Sequence, residues 1–337
     1  MKTRCVVLDR PGRMRVEERD VPERPSEGSV LVKVEAVGIC GSDIHAYNGT
    51  QPFQTYPRIL GHEICGTVVE GNDRHPAGER VVVEPLLRCG KCYPCSIGRY
   101  NCCVNLRVIG VHEDGGMRDL LWLPSELLYR VPRGIRVDEA ALCEPLAVAS
   151  HANTRAKVGE GDVVAVIGAG PIGLLILQVS RALGARVVVS DIDAERLKVA
   201  STLGAEHTVD ASSPGHLEEM RTLAGRDGPT VVFEAVGSDE TIAEAVGLVS
   251  PAGRVVLVGL YGSPVEFTPI EIIRREFDLL GSRNSSGMFP HALSLIETGK
   301  VQLGPLITHR FDLEEAPRVF EGIRRGTIRP LKALLLA

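Results

Sequence analysis

Apolar and polar residues alternate along the first part of the chain and run in short blocks along the middle. In VLVKVEAVG (30–38), Val30, Val32, Val34 and Ala36 share one face of an extended strand, and Lys33 and Glu35 share the other. ICGTVVE and ERVVVEPLL read as further strands, separated by glycine, proline and aspartate turns. Many short strands punctuated in this way predict a partly closed β-barrel. The stretch VGICGSDIHAYNG (37–49) reads as a loop between glycines that gathers a cysteine, a serine, an aspartate and a histidine.

The pattern changes near residue 150. VVAVI and RVVVS are apolar runs suited to parallel strands covered on both faces. They alternate with helical stretches through PTVVFEAVG, a helix from about Asp239 to Val249, and GRVVLVGL, and FDLLGS closes the sheet near residue 281. HALSLIETGK and EEAPRVFEGIRRG predict amphipathic helices, and LKALLLA a last strand. This tail is too short to fold alone and is expected to return to the first domain. The fold class is therefore α/β, a β-barrel domain (1–148 and 282–337) with a doubly wound parallel-sheet domain (149–281).

Length and charge narrow the function. The chain has 337 residues, suiting two domains, and a formal net charge of −5 with no basic run, which argues against a nucleic-acid partner. No apolar stretch reaches membrane-spanning length, and the charged start lacks a signal-peptide core, so a cytoplasmic protein is expected. Nine cysteines, clustered in part, favour metal over disulfides in a reducing compartment. Cys5, Cys65 and Cys143 stand alone and read as small buried hydrophobes.

Gly168-Ala169-Gly170-Pro171-Ile172-Gly173 fits G-x-G-x-x-G, with a buried strand before it, an apolar helix after it, and Asp191 ending the next strand about twenty positions on. The helix start offers N–H groups and partial positive charge to a pyrophosphate. A carboxylate at Asp191 bonds ribose hydroxyls and repels a 2′-phosphate, which favours NAD over NADP; Asp193 suits the helix cap better. Ala235, Val236 and Gly237, and Val258, Gly259 and Leu260, end later strands and are expected to border the nicotinamide, with Arg196 taken as a further cofactor contact.

Two clusters suggest metal. Cys89, Cys92 and Cys95 at three-residue steps, with Cys102 or Cys103 as a fourth, suit a closed tetrahedral structural zinc, an iron–sulfur cluster being the rival. Cys40, His62 and Glu63 offer thiolate, imidazole and carboxylate beside glycine turns. Three protein ligands leave an open position, as in catalytic zinc sites. Singly, His62 reads as a core histidine and Glu63 as a strand-edge charge; together with the dinucleotide motif they point to zinc-assisted hydride transfer.

GICGSDIH, GHE, CGKCYPC followed by NCC, CEP and GAGPIG, in this order along nearly the whole chain, resemble the zinc-dependent medium-chain dehydrogenase/reductase family. The resemblance implies a GroES-like barrel interrupted by a Rossmann domain, two zinc ions per subunit, and Cys103 as the fourth structural ligand. The chain is most similar to the sorbitol dehydrogenase branch, because Glu144 in LCEPLAV stands where simple alcohol dehydrogenases have a cysteine ligand. Glu144 is then a ligand directly or through water, and Cys143, one position away, is the thiol alternative. TYPRILGHEICG, VIGVHEDGG, GSRN and THRF resemble bacterial dehydrogenases of hexonates such as L-galactonate; the threonine dehydrogenase branch is also near.

The resemblance further implies a proton relay from the substrate through Ser42 and a ribose hydroxyl to His45, with Asp43 fixing the tautomer of His62. The bland readings are local turns for Ser42 and Asp43. Arg283 resembles the arginine that meets a polyol chain, and two parallel bonds to a carboxylate would favour a sugar acid. Tyr47, His112, Glu113 and Asn284 are weaker candidates for the pocket wall. The expected substrate is a small polyol or sugar acid, and the expected assembly a homotetramer through the Rossmann domains, or a homodimer. A non-catalytic NAD-binding regulator and a zinc-ribbon nucleic-acid module are the competing classes; the intact Cys40, His62, Glu63 and Ser42 oppose the first, and the charge balance the second.

Overall fold

The computed structural model describes residues 1–337 apart from Arg226, Tyr261 and Phe267. The chain divides into two compact units, Met1–Glu144 with Leu303–Ala337, and Pro145–Gln302. The second boundary falls after Gln302, not at 281. The helix Phe289–Glu297 stays with the second unit, and Gln302 is tied there by its N–H to Gln178 Oε1 at 2.7 Å and its carbonyl to Gln178 Nε2 at 3.1 Å.

The first unit is built around the strand Ser29–Ile39, which pairs antiparallel with Glu63–Glu70, Leu120–Pro124 and Lys332–Leu336. The returning C-terminal strand thus lies directly beside it. Val32, Val34, Ile64, Val81 and Phe320 are among the buried side chains of its core. ERVVVEPLL makes two strands, Arg80–Val83 and Leu86–Leu87, not one, because Pro85 has no N–H to continue a ladder.

The second unit contains a six-stranded parallel sheet. In chain order its strands are Val163–Ile167, Arg186–Asp191, His207–Asp210, Val231–Glu234, Arg254–Leu257 and Asp278–Gly281, and in space they lie 3-2-1-4-5-6. The order reverses beside the first strand, the place where such sheets bind ligands at their carboxyl ends. Among the described residues no helix is long and apolar enough to cross a membrane.

A further local expectation changes. Residues Gly41–Asn48 form an α-helix, not a loop. Cys40 is its N-cap, the Asp43 carboxylate accepts the Cys40 N–H at 2.9 Å, and Gly49 ends it in the left-handed region at φ 78°. A carboxylate at the third position satisfies a free donor and complements the helix dipole, as Glu does in a capping box.

Candidate active site

Ligating atoms of Cys40, His62 and Glu63 lie within 4.8 Å of one another. Cys40 sits at the helix start, and His62 and Glu63 enter the strand Glu63–Glu70. The strand pairing that places Gly38 opposite Glu63 brings them together. His62 and Glu63 are buried, and His62 Nδ1 and Glu63 Oε2 have no hydrogen-bond partner. Buried polar atoms left without partners are costly, and a cation among these three donors would satisfy the carboxylate. Gly38 makes room for it: a Cβ there would fall 1.8 Å from Glu63 Oε2.

Charge around the cluster is dense. Asp43, 2% exposed, stands with Oδ1 3.7 Å from His62 Nδ1, near enough to orient the ring but too far for a direct hydrogen bond. Burial works to lower the basicity of His62, but Asp43 and Cys40 outweigh it and hold the imidazole well above its ordinary value. Glu63 Oε1 meets the ammonium of Lys332, which also donates to the Ile39 carbonyl at 3.2 Å. Lys332 was not anticipated, since nothing local marks it. Glu144, in the first turn of the helix Cys143–Ala156, is buried and pushed up to about 7, first by burial. It senses His62 and Glu63 electrostatically, but neither it nor Cys143 is within the 4.8 Å group. Cys143 is fully buried, which raises its thiol far above the usual range.

Sulfurs of Cys89, Cys92, Cys95 and Cys103 form a second group within 4.8 Å, and Cys102 is outside it. None of the nine cysteines is in a disulfide, and the Cys92 and Cys95 sulfurs are 3.4 Å apart, far beyond disulfide length. The Cys89 N–H donates to Cys103 Sγ at 3.3 Å. N–H groups of Lys91 and Cys92 lower Cys89 to about 6, whereas burial and then Cys92 push Cys95 up to about 12. Four crowded sulfurs of this kind are a fit for a tetrahedral cation. Glu84, which sequence reading passed over, accepts Tyr100 OH at 2.6 Å and Tyr129 OH at 2.8 Å and so ties this lobe to the barrel.

The glycine turn of the second unit is tightly built. Gly168 has φ 99°, and a Cβ on Gly173 would fall 1.8 Å from the Gly168 carbonyl oxygen. The helix Pro171–Ala182 is capped by Gly170, and Leu174 N–H bonds the Gly170 carbonyl, so the N–H groups of Ile172 and Gly173 precede the first helical bond. Asp191 is buried. It accepts Ala169 N–H at 2.6 Å and Asp193 N–H at 2.9 Å, with Arg196 Nη1 at 3.7 Å. Asp193 is the N-cap of the next helix, accepting from Glu195 and Arg196. Ala235, Val236, Gly237, Val258, Gly259 and Leu260 follow the fourth and fifth strands of the sheet.

Ser42 is half-buried and His45 exposed on the helix Gly41–Asn48, three residues apart and so on one face, and His45 Nδ1 pairs with Thr50 Oγ1 at 2.9 Å. Tyr47 is not a pocket residue. It is core, 5.5 Å from the Phe320 ring, with its hydroxyl on Glu321 Oε2 at 3.1 Å. His112 Nδ1 takes the Val108 N–H at 3.1 Å, its ring lies 6.4 Å from that of Phe53, and Glu113 pairs with Arg107. Arg283 is exposed and Asn284 left-handed, φ 47°, after the last strand of the second unit's sheet.

Residues 26–133 match the alcohol dehydrogenase GroES-like domain, and residues 171–298 the zinc-binding dehydrogenase domain. L-galactonate-5-dehydrogenase of Escherichia coli K12 is 36% identical over 94% of this chain and 94% of its own. Sorbitol dehydrogenase of Halalkalibacterium halodurans is 34% identical over 96% of each. The Escherichia coli CFT073 alcohol dehydrogenase rspB, solved with NADH, superposes with TM-score 0.93 at 34% identity, over 100% of this chain and 99% of that one. A Sinorhizobium meliloti 1021 protein solved with NADP gives TM-score 0.93 at 35% identity over 100% of both. The chain belongs to the zinc-dependent medium-chain dehydrogenase family, in its sorbitol dehydrogenase-like branch.

Proposed function

We propose that this oxidoreductase uses zinc and NAD to oxidise a secondary hydroxyl of a polyol or sugar acid. The observation that carries the reading is the convergence of Cys40, His62 and Glu63, with Glu63 Oε2 buried and unpartnered. A zinc ion held by these three side chains supplies Lewis acidity that makes a neighbouring hydroxyl easier to deprotonate. The nicotinamide cofactor supplies the hydride acceptor.

The chain's own residues supply the rest. Ser42, half-buried, accepts the proton as it gives up its own toward His45, exposed one helical turn on, which releases a proton to water. Asp43 orients His62, and Lys332 and Gly38 hold Glu63 in place. Glu144 stands by as an auxiliary ligand, directly or through water, and Cys89, Cys92, Cys95 and Cys103 hold a structural zinc. Asp191, buried at a strand end with carboxylate oxygens on the turn, supports NAD over NADP. The relatives named for L-galactonate and sorbitol support the substrate class, which Arg283 suits by its ability to grip hydroxyls or a carboxylate. A homotetramer or homodimer in the cytoplasm goes with this reading.

Assay of polyols, hexonates and L-threonine with NAD and with NADP, followed by absorbance of the reduced cofactor, tests it. Turnover on a polyol or hexonate with NAD is expected. Turnover on threonine alone moves the chain to the threonine 3-dehydrogenase reading, and cofactor binding without turnover on any alcohol sinks the enzyme.

A further inference from the structure

Glu234 ends the fourth strand of the second unit's sheet, Val231–Glu234, and is fully buried. A carboxylate removed from water has to be matched by donors. Its Oε1 accepts three: the N–H of Val236 at 2.8 Å, the N–H of Gly237 at 2.7 Å and the hydroxyl of Thr241 at 2.8 Å. Thr241 forms a reciprocal cap with Ser238 at the start of the helix Asp239–Leu248. The Glu234 carbonyl takes the N–H groups of Val258 at 2.9 Å and Gly259 at 3.1 Å. One residue therefore ties together the turns that follow two adjacent strands.

The two turns also touch. A Cβ on Gly259 would fall 2.3 Å from Gly237 N and 2.7 Å from Glu234 Oε2. Locked in this way, the first turn carries Val236, 52% exposed, to the dinucleotide turn: a Cβ on Gly168 would fall 2.6 Å from Val236 Cγ2. Leu260, 77% exposed, stands on the neighbouring turn. Two apolar side chains left in water at the carboxyl ends of parallel strands, one of them touching a glycine turn, mark a surface that a ligand covers.

We propose that Glu234 is a positioning residue for the dinucleotide: its carboxylate fixes residues 235–241 so that Val236 and Gly237 meet the cofactor in a single backbone conformation. This rests on the dinucleotide-binding reading above. Glu234 acts through the turn, and its carboxylate is an acceptor for backbone and hydroxyl donors. Three donors on one oxygen hold the turn in one conformation, so removing the acceptor releases all three at once.

The test is a fluorescence titration of the zinc-loaded full chain with NADH and with NADPH, alongside KM for the oxidised cofactor, kcat and circular dichroism. Glu234→Ala is expected to weaken NADH binding by about tenfold or more and to raise cofactor KM more than it lowers kcat. Glu234→Gln, whose amide oxygen can take the same donors, is expected to stay within about threefold of the unaltered enzyme. A folded Glu234→Ala that binds NADH like the unaltered enzyme overturns the proposal, and so does a Glu234→Gln as weak as Glu234→Ala, because charge and not turn geometry would then matter. If Glu234→Ala does not fold, Thr241→Val decides: weakened binding supports the proposal and unchanged binding overturns it. An unaltered enzyme that binds neither reduced cofactor removes the dinucleotide reading, and this inference with it.

Discussion

The ammonium of Lys332 is bonded to Oε1 of Glu63, 269 positions away in the chain, with both side chains almost wholly out of solvent. Burial works against the charge on Lys332, and Glu63 and then Cys40 outweigh it. The pairing sets an ammonium against a carboxylate that stands close to a thiol and an imidazole. It also leaves the second oxygen, Oε2, buried and without a hydrogen-bond partner.

Lys332→Met therefore removes the only counter-charge that Glu63 has within the chain's own hydrogen bonds among the described residues. Breaking a buried pair from one side costs about 3–5 kcal/mol. A bound cation offsets part of this, so the loss is expected to be larger in chelator-stripped protein than in zinc-loaded protein. Urea denaturation of both forms measures the difference. Equal losses in the two forms would mean that Glu63 does not face the metal.

Gly38→Ala acts on the same carboxylate from the other side. Its new Cβ would fall 1.8 Å from Glu63 Oε2, and the Glu63 Cβ lies 3.0 Å from it, so the side chain has to swing away. The expected outcome is the loss of about one zinc ion per chain, with turnover lost and the four-cysteine lobe intact. Metal analysis beside an activity assay reads both. Full zinc content with full activity would remove Glu63 from the ligand set.

What the sequence made legible follows from how local each signal is. Short apolar runs, a glycine turn and an acidic strand end lie within about thirty residues of each other, so the parallel sheet and its turn are readable from Val163 to Asp191. The four-cysteine group is equally local, from Cys89 to Cys103. The helix Gly41–Asn48 escaped because its cap is a cysteine, a residue outside the usual capping set, although Asp43 at the third position was there to be noticed. Lys332 and Glu234 escaped for a different reason. A lysine in a C-terminal strand and a glutamate at a strand end look like edge charges until the fold closes around them.

Tyr47 shows the opposite error, chemistry inferred from closeness in sequence to Cys40 and Ser42. Its ring packs on Phe320 and its hydroxyl donates to Glu321. Tyr47→Phe is expected to leave KM and kcat unchanged and to cost about 1 kcal/mol of stability, the net worth of one hydrogen bond. Steady-state kinetics beside a thermal melt separates the two; a raised substrate KM with an unchanged melting temperature would return Tyr47 to the pocket.

Cys102 and Cys103 are neighbours with different expected fates. Cys103 is buried, its sulfur accepts the Cys89 N–H, and it completes the four-sulfur group; Cys102 is outside it. Cys103→Ser is expected to release one zinc per chain and to lower the melting temperature, because this lobe rests on a small satellite cluster whose buried hydrophobic members among the described residues are Leu86, Cys103 and Leu106. Cys102→Ser is expected to change neither. A zinc loss in Cys102→Ser equal to that in Cys103→Ser would mean that the lobe rearranges around its metal.

Asp191→Ala tests the cofactor preference and carries a structural cost that has to be separated from it. The carboxylate holds the Ala169 N–H of the glycine turn at 2.6 Å as well as the Asp193 N–H, so its removal loosens the turn for either cofactor. The ratio of kcat/KM for NAD to that for NADP cancels this shared loss. Without a carboxylate to accept ribose hydroxyls or to repel a phosphate, and with Arg196 3.7 Å from the vacated position, that ratio is expected to fall by about tenfold or more. A large fall in both efficiencies with an unchanged ratio would make Asp191 a support of the turn alone, and the choice between cofactors would then lie elsewhere in the second unit.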